Sequence, residues 1–215
     1  MQFDSTLIHL ENHLRSPLPG VTAQSQMAPP YRQTLVEEAL RIAREESGKP
    51  PRHAAVALIL FPKDETTHII LTVRRSDLKD HPGQVSFPGG RIEPQESPEE
   101  AAYREAQEEV GIDPAQLRVI GRLSELYIPP SNFLVQPFVM YHTTVPQFVR
   151  QATEVEKVLE VPLAHFMKPE NRKTQPWHRN GEVIQMPTFV AAGHTIWGGT
   201  AMMLNELLAL FRDTT

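Results

Sequence analysis

Residues 90–112 read GRIEPQESPEEAAYREAQEEVGI. Ser97 is a natural N-cap, Pro98 suits a first helical position, and Glu99 and Glu100 suit the positive end of a helix dipole. Gly111 is a stop signal. The stretch therefore predicts a helix over residues 97–110. On it Glu105, Glu108 and Glu109 stand at i, i+3 and i+4 and project from one face. Three like charges packed there repel one another. A hard divalent cation removes that penalty, because carboxylate oxygens are the preferred ligands of magnesium and manganese. The alternative is a solvated acidic face without chemistry, as most charge runs are.

Outward from the helix, Ala54–Phe61 is an apolar run of buried-strand length, and His68–Arg74 is β-branched after a turn region at residues 62–67, which predicts a hairpin. Residues 117–127 and 133–141 read as strands joined by Pro129-Pro130-Ser131-Asn132. Residues 154–161 are ambiguous, and residues 183–190 are a candidate strand. Residues 200–212 read as an amphipathic helix. Strands before and after one strongly capped helix predict an α+β (mixed α/β) sandwich, not a doubly wound sheet. Residues 1–50 read as a helical extension preceding the main domain at 51–215. Phe3, Leu7, Ile8 and Leu14 share a helical face, Ser16–Pro30 reads as a linker or extended arm, and Thr34–Glu46 is helical again with Gly48 as its stop.

The chain has 215 residues, enough for a substantial core, and a net charge of −5. That balance argues against a general binder of nucleic acid. There are no cysteines, which excludes disulfide scaffolds, thiolate metal sites and thiol nucleophiles. No apolar run is long enough to span a bilayer, and Met1-Gln2-Phe3-Asp4 lacks the basic start of an export signal, so a cytoplasmic location is expected.

Gly90, Glu96, Arg104, Glu105, Glu108, Glu109 and Gly111 fit in order the pattern Gly-x5-Glu-x7-Arg-Glu-U-x-Glu-Glu-x-Gly-U, with Ala106 and Ile112 at the apolar positions. The segment resembles the Nudix box. The resemblance implies a strand–loop–helix–loop motif in an α/β/α sandwich with a mixed sheet, and metal-assisted hydrolysis of a nucleoside diphosphate linked to another group. It implies Mg2+ or Mn2+ held by Glu105 and Glu109, with Glu108 close behind. Glu105, Glu108 and Arg104 are the candidate catalytic residues, Arg104 either pairing with Glu96 or Glu105 or touching substrate. Gly89 and Gly90 allow a tight backbone path. The general base stays open among Glu108, Glu93 and Glu125.

Residues 71–90, LTVRRSDLKDHPGQVSFPGG, are similar to the signature of the coenzyme A pyrophosphatase branch, through Leu71, Thr72, Arg74, Gly83, Phe87, Pro88, Gly89 and Gly90. Arg75 stands where that pattern has Ser, and Lys79 where it has Arg. The branch implies hydrolysis of coenzyme A or acyl-CoA to 3′,5′-ADP and (acyl-)4′-phosphopantetheine. Arg74, Arg75 and Lys79, with His81, are the candidate cations for so anionic a small-molecule substrate. Tyr127 and Phe133 either stack on substrate or belong to the core. The rivals are a Nudix enzyme for another substrate such as ADP-ribose, and a non-catalytic nucleotide-binding module. Family relatives that pair make a homodimer an expectation. His53, His68, His81, His142, His165, His178 and His194 show no ligand spacing, and no serine-nucleophile elbow or Walker-type loop is present.

Overall fold

The computed structural model describes residues 1–30, 50–78, 81–179 and 181–212. The helix expected at residues 34–46, and Lys79, lie outside these. β1 (Arg52–Lys63) and β2 (Thr66–Arg74) form the expected hairpin, with Lys63 opposite Thr66. Asp64 and Glu65 between them take φ of 48° and 58°, as a two-residue type I′ connection demands.

β1 pairs in parallel with β7 (Phe133–His142) and antiparallel with β2 and β4 (Gly89–Arg91), so the sheet is mixed. β3 (Val85–Ser86) and β8 (Val155–Pro162) pair with β2. β5 (Leu117–Arg122) and β6 (Leu126–Ile128) pair with β7. The ambiguous segment thus becomes β8, because it pairs along β2 with Leu159 and Val161 buried in the core and Val155 buried at its start. The single strand expected at 117–127 is broken: register shifts after Val119, and residues 123–125 leave the ladder.

Alternation along β1 builds two cores, since successive side chains point to opposite faces. Ala55, Ala57, Ile59 and Phe61 face α3 (Pro98–Val110), meeting Ala101, Ala102, Ala106 and Val110. Alanine on both sides lets helix and strand approach closely. Leu58 and Leu60 face the other layer, where α4 (Gly198–Ala209) contributes Leu204, Leu207 and Leu208. α1 (Phe3–His13) and α2 (Gly20–Ser25) complete that layer, placing Leu10, Met27 and Ala28 in the same core. The result is an α/β/α sandwich.

Three expectations are corrected. Of the expected face at residues 1–15, Phe3 and Leu14 pack against the core, but its buried centre is Thr6 and Leu10, and Ile8 is 62% exposed. Residues 16–30 are no linker: they hold α2, with Ala23, Gln24, Met27 and Ala28 buried. The last helix is not amphipathic, since Asn205 and Glu206 are fully buried beside its leucines. Both corrections at this layer have one cause, the packing of α2 across the polar side of α4. Glu206 there accepts from Gln24 Nε2 at 2.8 Å and from the backbone N–H groups of Gly20 and Ser124 at 3.2 and 3.1 Å.

β9 (Arg172–Arg179), β10 (Glu182–Ala191) and β11 (His194–Ile196) form a second, antiparallel sheet. β9 escapes sequence reading because its residues are mostly polar; it contains Pro176 and, among the described residues, pairs on one side only, the place a strand proline occupies. Among the described residues no helix is long and apolar enough to cross a membrane.

Candidate active site

α3 is fixed at both ends. Ser97 Oγ accepts from the Glu100 N–H at 3.2 Å, and Glu100 Oε2 accepts from the Ser97 N–H at 2.8 Å, a complete capping box. Gly111 closes the helix at φ 73°. The last carbonyls of a helix lack intrahelical partners. Here the Val149 and Gln151 N–H groups donate to the Val110 and Glu109 carbonyls, each at 3.0 Å. Those bonds zip residues 149–154 onto the end of α3 and bring Glu154 to the box.

The box carboxylates are not equivalent. Glu109 is 9% exposed. Burial pushes its carboxyl up to about 8, helped by the charges of Glu105 and Glu154 and opposed by Arg74. Thr72 Oγ1 lies 3.5 Å from Glu109 Oε2. Burial also raises Glu105, against the bond it accepts from Arg104. Glu108 is exposed. Arg104 ties the group together. Its Nε and Nη2 fork onto Glu96 at 2.8 and 3.0 Å, and Nη1 donates to Glu105 Oε1 at 2.8 Å and Glu108 Oε2 at 3.2 Å. This contact holds the Glu96 carboxyl below its ordinary value. Of the two alternatives for Arg104, the structure displays the carboxylate pairing.

Gly89 and Gly90 pair with Val56 and Ala55 on β1. An ideal Cβ on Gly90 would fall on Glu105 Oε1, and one on Gly89 would come within 2.5 Å of the Ala55 carbonyl. Gly90 thus seats the Glu105 carboxylate against the backbone of β4, and Gly89 lets β4 lie close on β1.

Glu105, Glu108 and Glu109 line one cleft of about 690 Å³ with Arg74, Arg91 and Glu154. Arg74 Nη1 is 3.5 Å from Glu154 Oε2. The basic quartet from the sequence is divided. Arg74 is in the cleft, but Arg75 pairs with Asp77 and donates to the Ala152 carbonyl at 2.7 Å, and His81 lines a second cavity. Glu93 lines the cleft, whereas Glu125 lines a separate hollow beside Ser97. Tyr127 is 7% exposed, its hydroxyl donating to Asn132 Oδ1 at 2.9 Å; Phe133 lies under the Arg52 guanidinium, 4.1 Å from its ring centroid. Arg91 and Glu154 were missed by sequence reasoning. Arg91 sits in the box at a position the pattern leaves free, and Glu154 is brought in by a chain reversal that no spacing records.

The donor set fits a divalent cation. All its candidate ligands are carboxylate oxygens, which hard cations prefer, and a buried, crowded Glu109 gains from a positive charge. Among the described residues no three His, Asp or Glu side chains converge as placed on one metal position.

Residues 51–188 match the family model of the NUDIX domain. The chloroplastic Nudix hydrolase 22 of Arabidopsis thaliana is 31% identical over 215 residues, covering 93% of this chain and 71% of its own. The mitochondrial coenzyme A diphosphatase of Homo sapiens is 31% identical over 169 residues, covering 77% of this chain and 72% of its own. A solved MutT/nudix family protein from Enterococcus faecalis shares the fold, with a TM-score of 0.50 at 14% identity over 84% of this chain and 68% of its own. With the family model spanning more than half of the chain and a cleft built from the box carboxylates, the chain belongs to the Nudix hydrolases, enzymes of diphosphate cleavage that depend on divalent metal.

Proposed function

We propose that the enzyme hydrolyses the diphosphate of coenzyme A or its thioesters to 3′,5′-ADP and (acyl-)4′-phosphopantetheine. The observation that carries this reading is the entry of Arg74, from the coenzyme A-like stretch, into the same cleft as Glu105 and Glu109. A coenzyme A diphosphatase among the relatives supports it.

Glu105 and Glu109, with Glu108 beside them, would hold Mg2+ or Mn2+, which when bound would neutralise charge at the phosphates and acidify the attacking water. Arg104 positions Glu105 and Glu108 through its fork on Glu96. Arg74 and Arg91 face the anionic substrate. Water adds to one phosphorus, the P–O–P bridge breaks, and two phosphomonoesters leave. The water's proton goes to a carboxylate at the cleft. Glu154 is the acceptor in this reading, because it lies in the cleft near enough to Glu109 for its charge to act on that carboxyl and is not engaged by Arg104; Glu93 and Glu108 are the alternatives. Glu154→Gln is expected to lower kcat by about two to four orders of magnitude while manganese binding followed by electron paramagnetic resonance persists. Loss of manganese binding instead would make Glu154 a ligand.

The substrate is tested by mass spectrometry of the products from coenzyme A in 18O-labelled water, which also shows which phosphorus is attacked. Rapid cleavage of ADP-ribose with coenzyme A untouched would overturn the substrate assignment and leave the Nudix chemistry standing.

A further inference from the structure

The β3–β4 segment separates the acidic cleft from a second cavity of about 340 Å³ on the α4 side of the sheet. The two meet at one strand pair: Val56 lines the second cavity, and its partner Gly89 lines the cleft. Phe87, Ile128, Trp197 and Met203 form its apolar walls. Ser86, Ser131 and Thr200 add hydroxyls, Gln84 an amide and His81 an imidazole, and among the described residues no Lys, Arg, Asp or Glu lines it. The walls are braced. Thr200 Oγ1 donates to the Val85 carbonyl at 3.0 Å, tying the start of α4 to β3, and the Trp197 ring packs on Trp177 with centroids 4.5 Å apart.

We propose that this cavity receives the uncharged acyl-pantetheine end of the substrate, making the enzyme select thioesters by acyl length. The inference rests on the coenzyme A reading above. Charge decides which end of the substrate goes where. The nucleotide end carries the 3′-phosphate and needs cations, which the cleft offers in the guanidinium groups of Arg74 and Arg91; among the described residues this cavity offers the His81 imidazole and no Lys or Arg. An acyl chain gains from leaving water, and the cavity falls in the volume range of small-molecule sites.

The test uses the purified full chain with coenzyme A and its acetyl, butanoyl, hexanoyl and octanoyl thioesters. kcat/KM is expected to climb by up to about fourfold per buried methylene until the cavity fills. Ser131→Trp, at the partly exposed rim, is expected to bring the hexanoyl-to-free-CoA ratio close to one. A second measurement needs no variant: S-hexanoyl-pantetheine, which lacks phosphate and nucleotide, should inhibit competitively and more tightly than pantetheine. A flat chain-length profile, or equal inhibition by the two pantetheines, overturns the assignment while coenzyme A hydrolysis stands. Ser131→Trp weakening inhibition by adenosine 3′,5′-bisphosphate instead would hand the cavity to the nucleoside. No cleavage of coenzyme A or any thioester would remove the substrate reading and this inference together.

Discussion

Glu109 and Gly90 show what single residues contribute. Burial, and after it the charges of Glu105 and Glu154, push the Glu109 carboxyl up to about 8, so its ionised form gains from a cation beside it. Glu109→Gln keeps its shape and is expected to cost at least two orders of magnitude in turnover, typical of losing a principal electrostatic contributor, with the circular dichroism spectrum unchanged. The two glycines of β4 separate activity from folding. Gly90→Ala would push against a flexible carboxylate, so steady-state turnover should fall at least tenfold with little change in Tm. Gly89→Ala would meet the Ala55 carbonyl and the Val56 Cα at 2.5 and 2.7 Å. It must move backbone, and chemical denaturation should show a loss of about 1–3 kcal/mol. The box residues were readable because their spacing is local to one helix. Glu154 was not, because its place depends on hydrogen bonds from Val149 and Gln151 to the far end of α3.

α3 is the element on which the chemistry stands, and its two ends do different things. Ser97→Ala removes the capping box and should cost about 1 kcal/mol in urea unfolding with kcat almost unmoved. Gly111→Ala puts a side chain at positive φ and drives its Cβ to 2.7 Å from that of Val149. It should destabilise the protein and also lower kcat, because the displaced segment carries Glu154. Comparing the kcat loss per unit of lost stability in the two variants checks this. The helix was legible from its caps and the hairpin from its apolar runs. The break after β5 was not, because Gln136 of β7 sends its amide to the Leu123 carbonyl at 2.8 Å, a tertiary contact without local sequence signal. β9 was hidden by a polar composition that only its pairing with β10 explains.

At the scale of the molecule, the N-terminal residues are part of the sandwich. Leu10, Met27 and Ala28 are fully buried in the core under α4, and α2 encloses the Glu206 carboxylate with the backbone at Ser124. Glu206→Leu would leave two backbone N–H groups and one of the two N–H bonds of the Gln24 amide without an acceptor, the other going to the Ser124 carbonyl, at a cost of about 3 kcal/mol or more. Deleting residues 1–27 should expose the same layer, seen as dye binding to apolar surface and a lowered Tm. The helix α1 was legible from its apolar spacing; α2 and its packing on α4 were not, because a six-residue helix with few apolar residues declares no partner until α4 supplies it. β1 belongs to both layers at once. Its residues Ala55 and Ala57–Phe61 are inaccessible to solvent, and the strand is paired along both edges, to β7 on one side and to β2 and β4 on the other. Its central amides have no local opening that frees them, so deuterium should enter them only when the entire chain unfolds, at the slowest rate in the molecule.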